Sequence, residues 1–247
     1  MIDAHCHLTF EPLTGSLNAV LQNARGAGVS AIVSCAYAPS DWSLQAGLAA
    51  EEGVFIAQGV HPWAADSSWD EQALRRHLAR SNCVAVGEVG LDYGPGRPPR
   101  ASQRETFKRQ LRIAEDLGLP LVLHCYRAFD DLFAMLDEHH DVGGMLHGYT
   151  RGPELAERLA TRGLLVSFGA AVTRKGARRC REAASVLPLS KILVESDAPS
   201  RWPSGVTSTP SLVGDVVAEL ASLRGEDVST LAMETSKNAR RLFAIDQ

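Results

Sequence analysis

Eight short apolar runs, spread along 247 residues and separated by longer amphipathic stretches, constrain the fold of this chain more than any other feature. They are Ile2–His5, Ala31–Cys35, Val54–Gly59, Val84–Glu88, Leu121–His124, Met145–His147, Leu165–Ser167 and Ile192–Glu195. Each is brief and bounded by Gly, Pro or polar residues, the pattern of a parallel strand buried on both faces. Between them the spacing turns helical. Ser102–Leu117 is the clearest case, with Phe107, Leu111, Ala114 and Leu117 on one face, Gly118 as its stop and Pro120 beyond. Leu17–Ala27 and Pro153–Arg162 follow suit, the latter opening on Pro and ending at Gly163.

Strand-and-helix units repeated eight times predict an α/β protein: a single-domain (β/α)8 TIM barrel over residues 1–247, with some distortion of the ring admissible. A doubly wound sheet is the other fold made of such units. No Gly-x-Gly-x-x-Gly follows a strand, which counts against its dinucleotide-binding form. No linker, repeat or low-complexity segment divides the chain, and Pro95–Arg100 and Arg201–Pro210 read as loops.

Composition narrows the function classes. The 45% hydrophobic content can fill a barrel core, and the net charge of −4 argues against binding nucleic acid by bulk electrostatics, though not against a local basic rim. No run approaches the ~18 apolar residues of a membrane span, and no charged-then-apolar leader opens the chain. Five scattered cysteines without a Cys-x-x-Cys pair suit reduced thiols in a cytoplasmic protein. The sequence does not set the oligomeric state; a monomer is compatible with it.

In a barrel, the C-terminal ends of the strands converge on the face that carries the chemistry. His5 and His7 lie at the end of the first strand and share a side by strand alternation. His61 lies just past the third; Glu88 ends the fourth, His124 the fifth and His147 the sixth; Asp197 follows the eighth. Each has a plainer account alone: Glu88 as a helix cap, His147 in a turn, Asp197 as a turn residue before Ala-Pro. Together they are harder to explain by packing, because such groups are costly to bury unpaired. Four of these five imidazoles with the two carboxylates already exceed one tetrahedral zinc. They suit two divalent ions with a bridging carboxylate and water, and admit Zn, Mn or Fe, with Mg more weakly held. His77, His139 and His140 read as surface residues.

Seven stretches carry a resemblance over the whole chain: Asp3-Ala-His-Cys-His7, Gly59-Val-His-Pro62, Val86-Gly-Glu-Val-Gly-Leu-Asp92, Leu119-Pro-Leu-Val-Leu-His124, Leu146-His-Gly-Tyr149, Leu193-Val-Glu-Ser-Asp-Ala-Pro199 and Asn238-Ala-Arg-Arg-Leu-Phe243. They resemble the TatD family of metal-dependent hydrolases, in the amidohydrolase superfamily. The resemblance implies two divalent ions (Mg, Mn or Zn). His5, His7 and Asp197 would hold the first, His124 and His147 the second, and Glu88 would bridge. It makes Asp197 the general base beside Glu88, and places His61 toward substrate, with Tyr126, Arg127 and Arg201 as further substrate contacts. The implied activity is that of a deoxyribonuclease, in which a metal-bridging water attacks a phosphodiester of single-stranded or frayed DNA. The sequence counts against a carbamylated lysine bridge, since none of Lys108, Lys175, Lys191 and Lys237 ends the fourth strand or follows it closely.

Three departures from the family pattern lie near the expected substrate. Tyr126 stands where an Arg is usual, His147-Gly-Tyr-Thr150 replaces His-Cys-Phe-Ser, and Ser204–Pro210 lacks an Arg-Asn pair. They keep a second expectation open: a metal-dependent ester or amide hydrolase, of the aminoacyl-tRNA deacylase type or acting on a small cyclic amide. A non-catalytic scaffold is the third, and the complete ligand set speaks against it. Arg174, Arg178 and Arg181, spaced to share a helix face with Lys175 and Arg179 alongside, read as a solvated face before a phosphate anchor. Trp63 and Trp202 read equally as base-stacking or rim-packing residues.

Overall fold

The computed structural model describes residues 1–80 and 82–245. Its strands are β1 (Ile2–Cys6), β2 (Ala31–Cys35), β3 (Val54–Gln58), β4 (Cys83–Asp92), β5 (Leu121–Tyr126), β6 (Gly144–Leu146), β7 (Leu165–Phe168) and β8 (Ile192–Val194). All eight run in sequence order in one sheet, with parallel register in β3–β4, β4–β5 and β7–β8. Just past β8, the Asp197 N–H donates to the His5 carbonyl of β1 at 3.0 Å, so the order returns to its start. This is the expected (β/α)8 barrel.

The chain divides into two compact units, Met1–Val33 with Leu146–Gln247, and Ser34–Met145. In the first, Ile2, Ala4, Val166, Phe168 and Leu193 are fully or nearly fully buried. The C-terminal helix Val228–Phe243 is tied to the base of β8 by Asn238, whose Nδ2 donates to the Ile192 carbonyl at 2.9 Å. In the second, the helix Arg100–Leu117 buries Gln103, Thr106, Phe107, Gln110, Leu111, Ile113 and Ala114, an i, i+3, i+4, i+7 stripe laid along β4. It starts two residues before the expected Ser102, directly after Pro99 at its N-cap. It ends at Gly118 in the left-handed conformation (φ +63°) that glycine adopts without strain.

One strand differs from expectation in a way that shapes the site. The sequence ends the fourth strand at Glu88; β4 instead continues to Asp92. The pairing register shifts between Gly87 and Val89, then resumes as Gly90↔His124, Leu91↔Cys125 and Asp92↔Tyr126. Gly90 permits this: at φ +137°, a Cβ there would fall 2.1 Å from the His124 carbonyl oxygen. The same pairing carries β5 past His124 to Tyr126. β6 and β8 stop earlier than expected, leaving His147 and Glu195 just beyond their ends.

Two histidines also differ from the expected surface setting. His139 is buried, with Nδ1 2.8 Å from the Glu115 carboxylate, and His77 is half-buried with its ring 5.8 Å from that of Trp42. Among the described residues, no helix is long and apolar enough to cross a membrane.

Candidate metal centre

In the first unit, β1 and the segment after β8 are laced together around His5. Buried Asp3 accepts hydrogen bonds from the Ser196 N–H at 2.9 Å and the Ser196 hydroxyl at 2.6 Å. The His7 N–H donates to the Ala198 carbonyl at 2.6 Å. These bonds pin the backbone on either side of His5 and Asp197, and His5 Nε2 comes 3.6 Å from Asp197 Oδ1. Strand alternation holds as expected: the His5 and His7 rings meet edge to face at 4.9 Å. His147, one residue past β6, brings its ring 4.1 Å from that of His5. Ligand atoms of His5, His147 and Asp197 all lie within 4.8 Å of one another.

Asp197 is suited to remain ionised. Burial works against its charge, but the hydrogen bond with His5 and the imidazoles of His147 and His7 hold its carboxyl below the usual range. It lines a cleft of about 200 Å³ with Glu195, Ser200, Arg174 and Arg201, so Arg201 shares a cleft with the expected base. Arg174 and Lys175 precede the helix Arg178–Val186 and are not on its face, which corrects the expected helical stripe. Arg181, within that helix, is engaged with Glu219 at 2.5 Å. Trp202 is buried, as rim packing requires.

In the second unit, Glu88 is the hub and is 2% exposed. Its Oε1 lies 3.1 Å from His61 Nε2 and 2.9 Å from His124 Nδ1, and ligand atoms of the three residues lie within 4.8 Å of one another. The Trp63 N–H donates to His61 Nδ1 at 3.1 Å. A nitrogen that accepts carries no proton, so His61 holds its proton on Nε2 and donates it to Glu88. His124 turns its other nitrogen, Nε2, to Asp92 Oδ2 at 3.2 Å. Tyr126 is exposed at the end of β5, and Arg127 follows it with φ +54°.

Spacing alone gives Asp92 no role, because the apolar run of the fourth strand stops at Glu88 while β4 extends to Asp92. Asp92 also accepts from Trp63 Nε1 at 2.5 Å and from the Gly94 N–H at 2.7 Å. Burial again opposes its charge, and these bonds with that to His124 overcome it, holding the carboxyl well below the usual range. Glu195 is a second acid that spacing does not single out. It is fully buried and accepts from the Gly148 N–H at 2.6 Å, fixing the turn after His147.

Each unit thus presents imidazole nitrogens and a carboxylate oxygen close enough to surround one divalent ion, the donor set that Zn, Mn or Fe favours. Comparison with known proteins agrees. The family model for TatD-related DNases matches residues 2–244. The chain is 34% identical over 255 residues to an uncharacterized metal-dependent hydrolase, YcfH, of Escherichia coli K12, covering 100% of this chain and 96% of that protein. It is 31% identical over 256 residues to a 3′-5′ ssDNA/RNA exonuclease, TatD, of Cronobacter sakazakii, covering 98% and 97%. The crystal structure of YjjV, a TatD homologue from Escherichia coli K12, superposes with a TM-score of 0.93 at 31% identity, covering 100% of this chain and 98% of that one.

Proposed function

This chain belongs to the TatD family of metal-dependent hydrolases, and from that premise we propose that it hydrolyses phosphodiesters of single-stranded or frayed DNA at a two-ion centre. The observation that carries the proposal is the pair of three-donor groups, His5–His147–Asp197 and His61–Glu88–His124. The family pattern regroups these donors: His5, His7 and Asp197 would hold one ion and His124 and His147 the other, with Glu88 shared and His61 left to donate to Glu88. Divalent ions held there would neutralise charge on the phosphoryl oxygens and lower the pKa of an attacking water toward ~7.

The chain's own residues do the rest. Asp197, kept ionised, accepts the water's proton. His61 donates its N–H to Glu88 Oε1 and so orients that carboxylate. His124 is oriented by Asp92, and the Asp3–Ser196 bonds fix the backbone carrying His5. Arg201, Tyr126 and Arg127 are the substrate-facing groups. The name of the Cronobacter relative supports a nucleic-acid substrate with a free 3′ end.

The test is a 5′-labelled single-stranded oligonucleotide incubated with the purified chain and Mg²⁺ or Mn²⁺. Stepwise shortening that a chelator abolishes and added metal restores is expected, with Glu88→Gln losing most activity and binding fewer than two ions per chain. Turnover of an ester or amide panel with the oligonucleotide left intact would replace this reading with the carbonyl one.

A further inference from the structure

The loop between β4 and the helix Arg100–Leu117 holds a cation beside the Glu88 group. Arg97 lays its guanidinium over the Trp63 ring, with Cζ 3.6 Å from the ring centroid. Its Nε lies 3.4 Å from Asp92 Oδ2. Trp63 is itself fixed, by Nε1 on the same Asp92 oxygen and by its N–H on His61. One carboxylate oxygen therefore gathers His124, Trp63 and Arg97. The arginine is held by its face and by one edge. Its two terminal amino groups make no hydrogen bond among the described residues, and the side chain is 34% exposed.

We propose that Arg97, stacked on Trp63 and tethered to Asp92, anchors a phosphate of the substrate backbone next to the Glu88–His124 group. The inference rests on the phosphodiesterase reading above. A guanidinium presents two parallel N–H donors in a planar fork that matches two phosphate oxygens. Stacking on an immobilised indole removes most of the rotamer freedom that binding would otherwise have to freeze. The charge of Asp92 does not cancel the anchor, since that carboxylate is shared among His124, Trp63 and the Gly94 N–H. Tyr126, in register with Asp92 on β5, is exposed and uncharged, so the cation at this edge comes from the loop and not from the strand.

The experiment measures binding and turnover of a labelled single-stranded oligonucleotide by the full chain, comparing wild type with R97A and R97K. R97A is expected to raise Kd and KM about tenfold with kcat within about twofold of wild type, the signature of lost uniform binding. The plot of log K against log salt should flatten by about 0.7, one single-strand phosphate contact. R97K, which keeps the charge but not the fork, should keep the salt slope and lose part of the affinity. Inorganic phosphate is a second probe, used on metal-free protein: it should raise the Tm of wild type and not of R97A. If wild type cleaves the oligonucleotide while R97A keeps its KM and salt slope, the anchor is refuted and the phosphodiesterase reading survives. If wild type ignores DNA but shows the Arg97-dependent phosphate shift, the anchor stands for another phosphate ester and the DNA substrate falls.

Discussion

Gln103 and Gln110, two helical turns apart on the Arg100–Leu117 helix, each close a two-bond clamp on the backbone of a different site segment. Gln110 accepts from the Val60 N–H at 2.7 Å and donates to the Val60 carbonyl at 3.0 Å, directly before His61. Gln103 treats Asp92 the same way, at 2.7 Å in both directions. Seven residues of helix span about 10.5 Å, so one rigid rod sets the separation between the turn carrying His61 and the end of β4.

Removing either clamp leaves a buried N–H and a buried carbonyl without partners. Gln110→Ala and Gln103→Ala are each expected to cost about 2–6 kcal/mol, at 1–3 kcal/mol per unsatisfied group. The double variant should be close to additive, because the sites share no partner. Urea titrations read this directly. A loss below about 0.5 kcal/mol for either variant, the range of ordinary surface changes, would mean that the backbone is held by something else.

These clamps show what the sequence left unread. Apolar periodicity reveals the eight strands and the face carrying Phe107 and Leu111, but it counts a buried glutamine as a polar position. Gly87 and Gly90 look like punctuation, whereas they flank the register shift at Glu88, beyond which β4 runs on four residues to Asp92. The candidate ligands were legible because each sits at or next to the end of an apolar run. The partners of those ligands were not: the hydroxyl that meets Asp3 is 193 residues away in sequence, and no spacing announces a guanidinium on an indole.

Gly90 gives a sharp test of the bulge. In Gly90→Ala the new methyl would lie 2.1 Å from the His124 carbonyl, a clash with backbone that no side-chain rotation relieves. The variant should lose more than ~4 kcal/mol or fail to fold. Gly96→Ala is the control: its φ is also positive, at +72°, but nothing lies within 4 Å, so it should cost only about 1–2 kcal/mol. Equal Tm values for the two would refute the tight β4–β5 approach.

Asp92→Asn isolates the orientation of His124 from the fold. The amide keeps the volume but loses the charge that aligns the imidazole through Nε2. Loss of such a partner weakens metal binding about 10–100-fold. Calorimetric titration with Mn²⁺ should show that fall while far-UV circular dichroism stays unchanged. Undiminished affinity would place the His124–Asp92 contact outside metal binding.

Asp3 predicts how stability changes with pH. Burial raises its carboxyl to about 8, against the opposing bonds from Ser196. A folded-state pKa above the unfolded value means that the native chain keeps a proton the unfolded chain has released. Stability from this group is therefore complete below about pH 4 and declines through about pH 8, by up to about 1.4 kcal/mol per pH unit. Asp3→Asn cannot titrate, so its Tm should fall less steeply than that of wild type between those limits. Both chains share every other titrating group, and the difference between the two curves reports Asp3 alone. Parallel curves would mean that the three hydrogen bonds offered by Ser196 and the His5 N–H keep the carboxylate ionised, so that donors and not desolvation decide the charge next to His5.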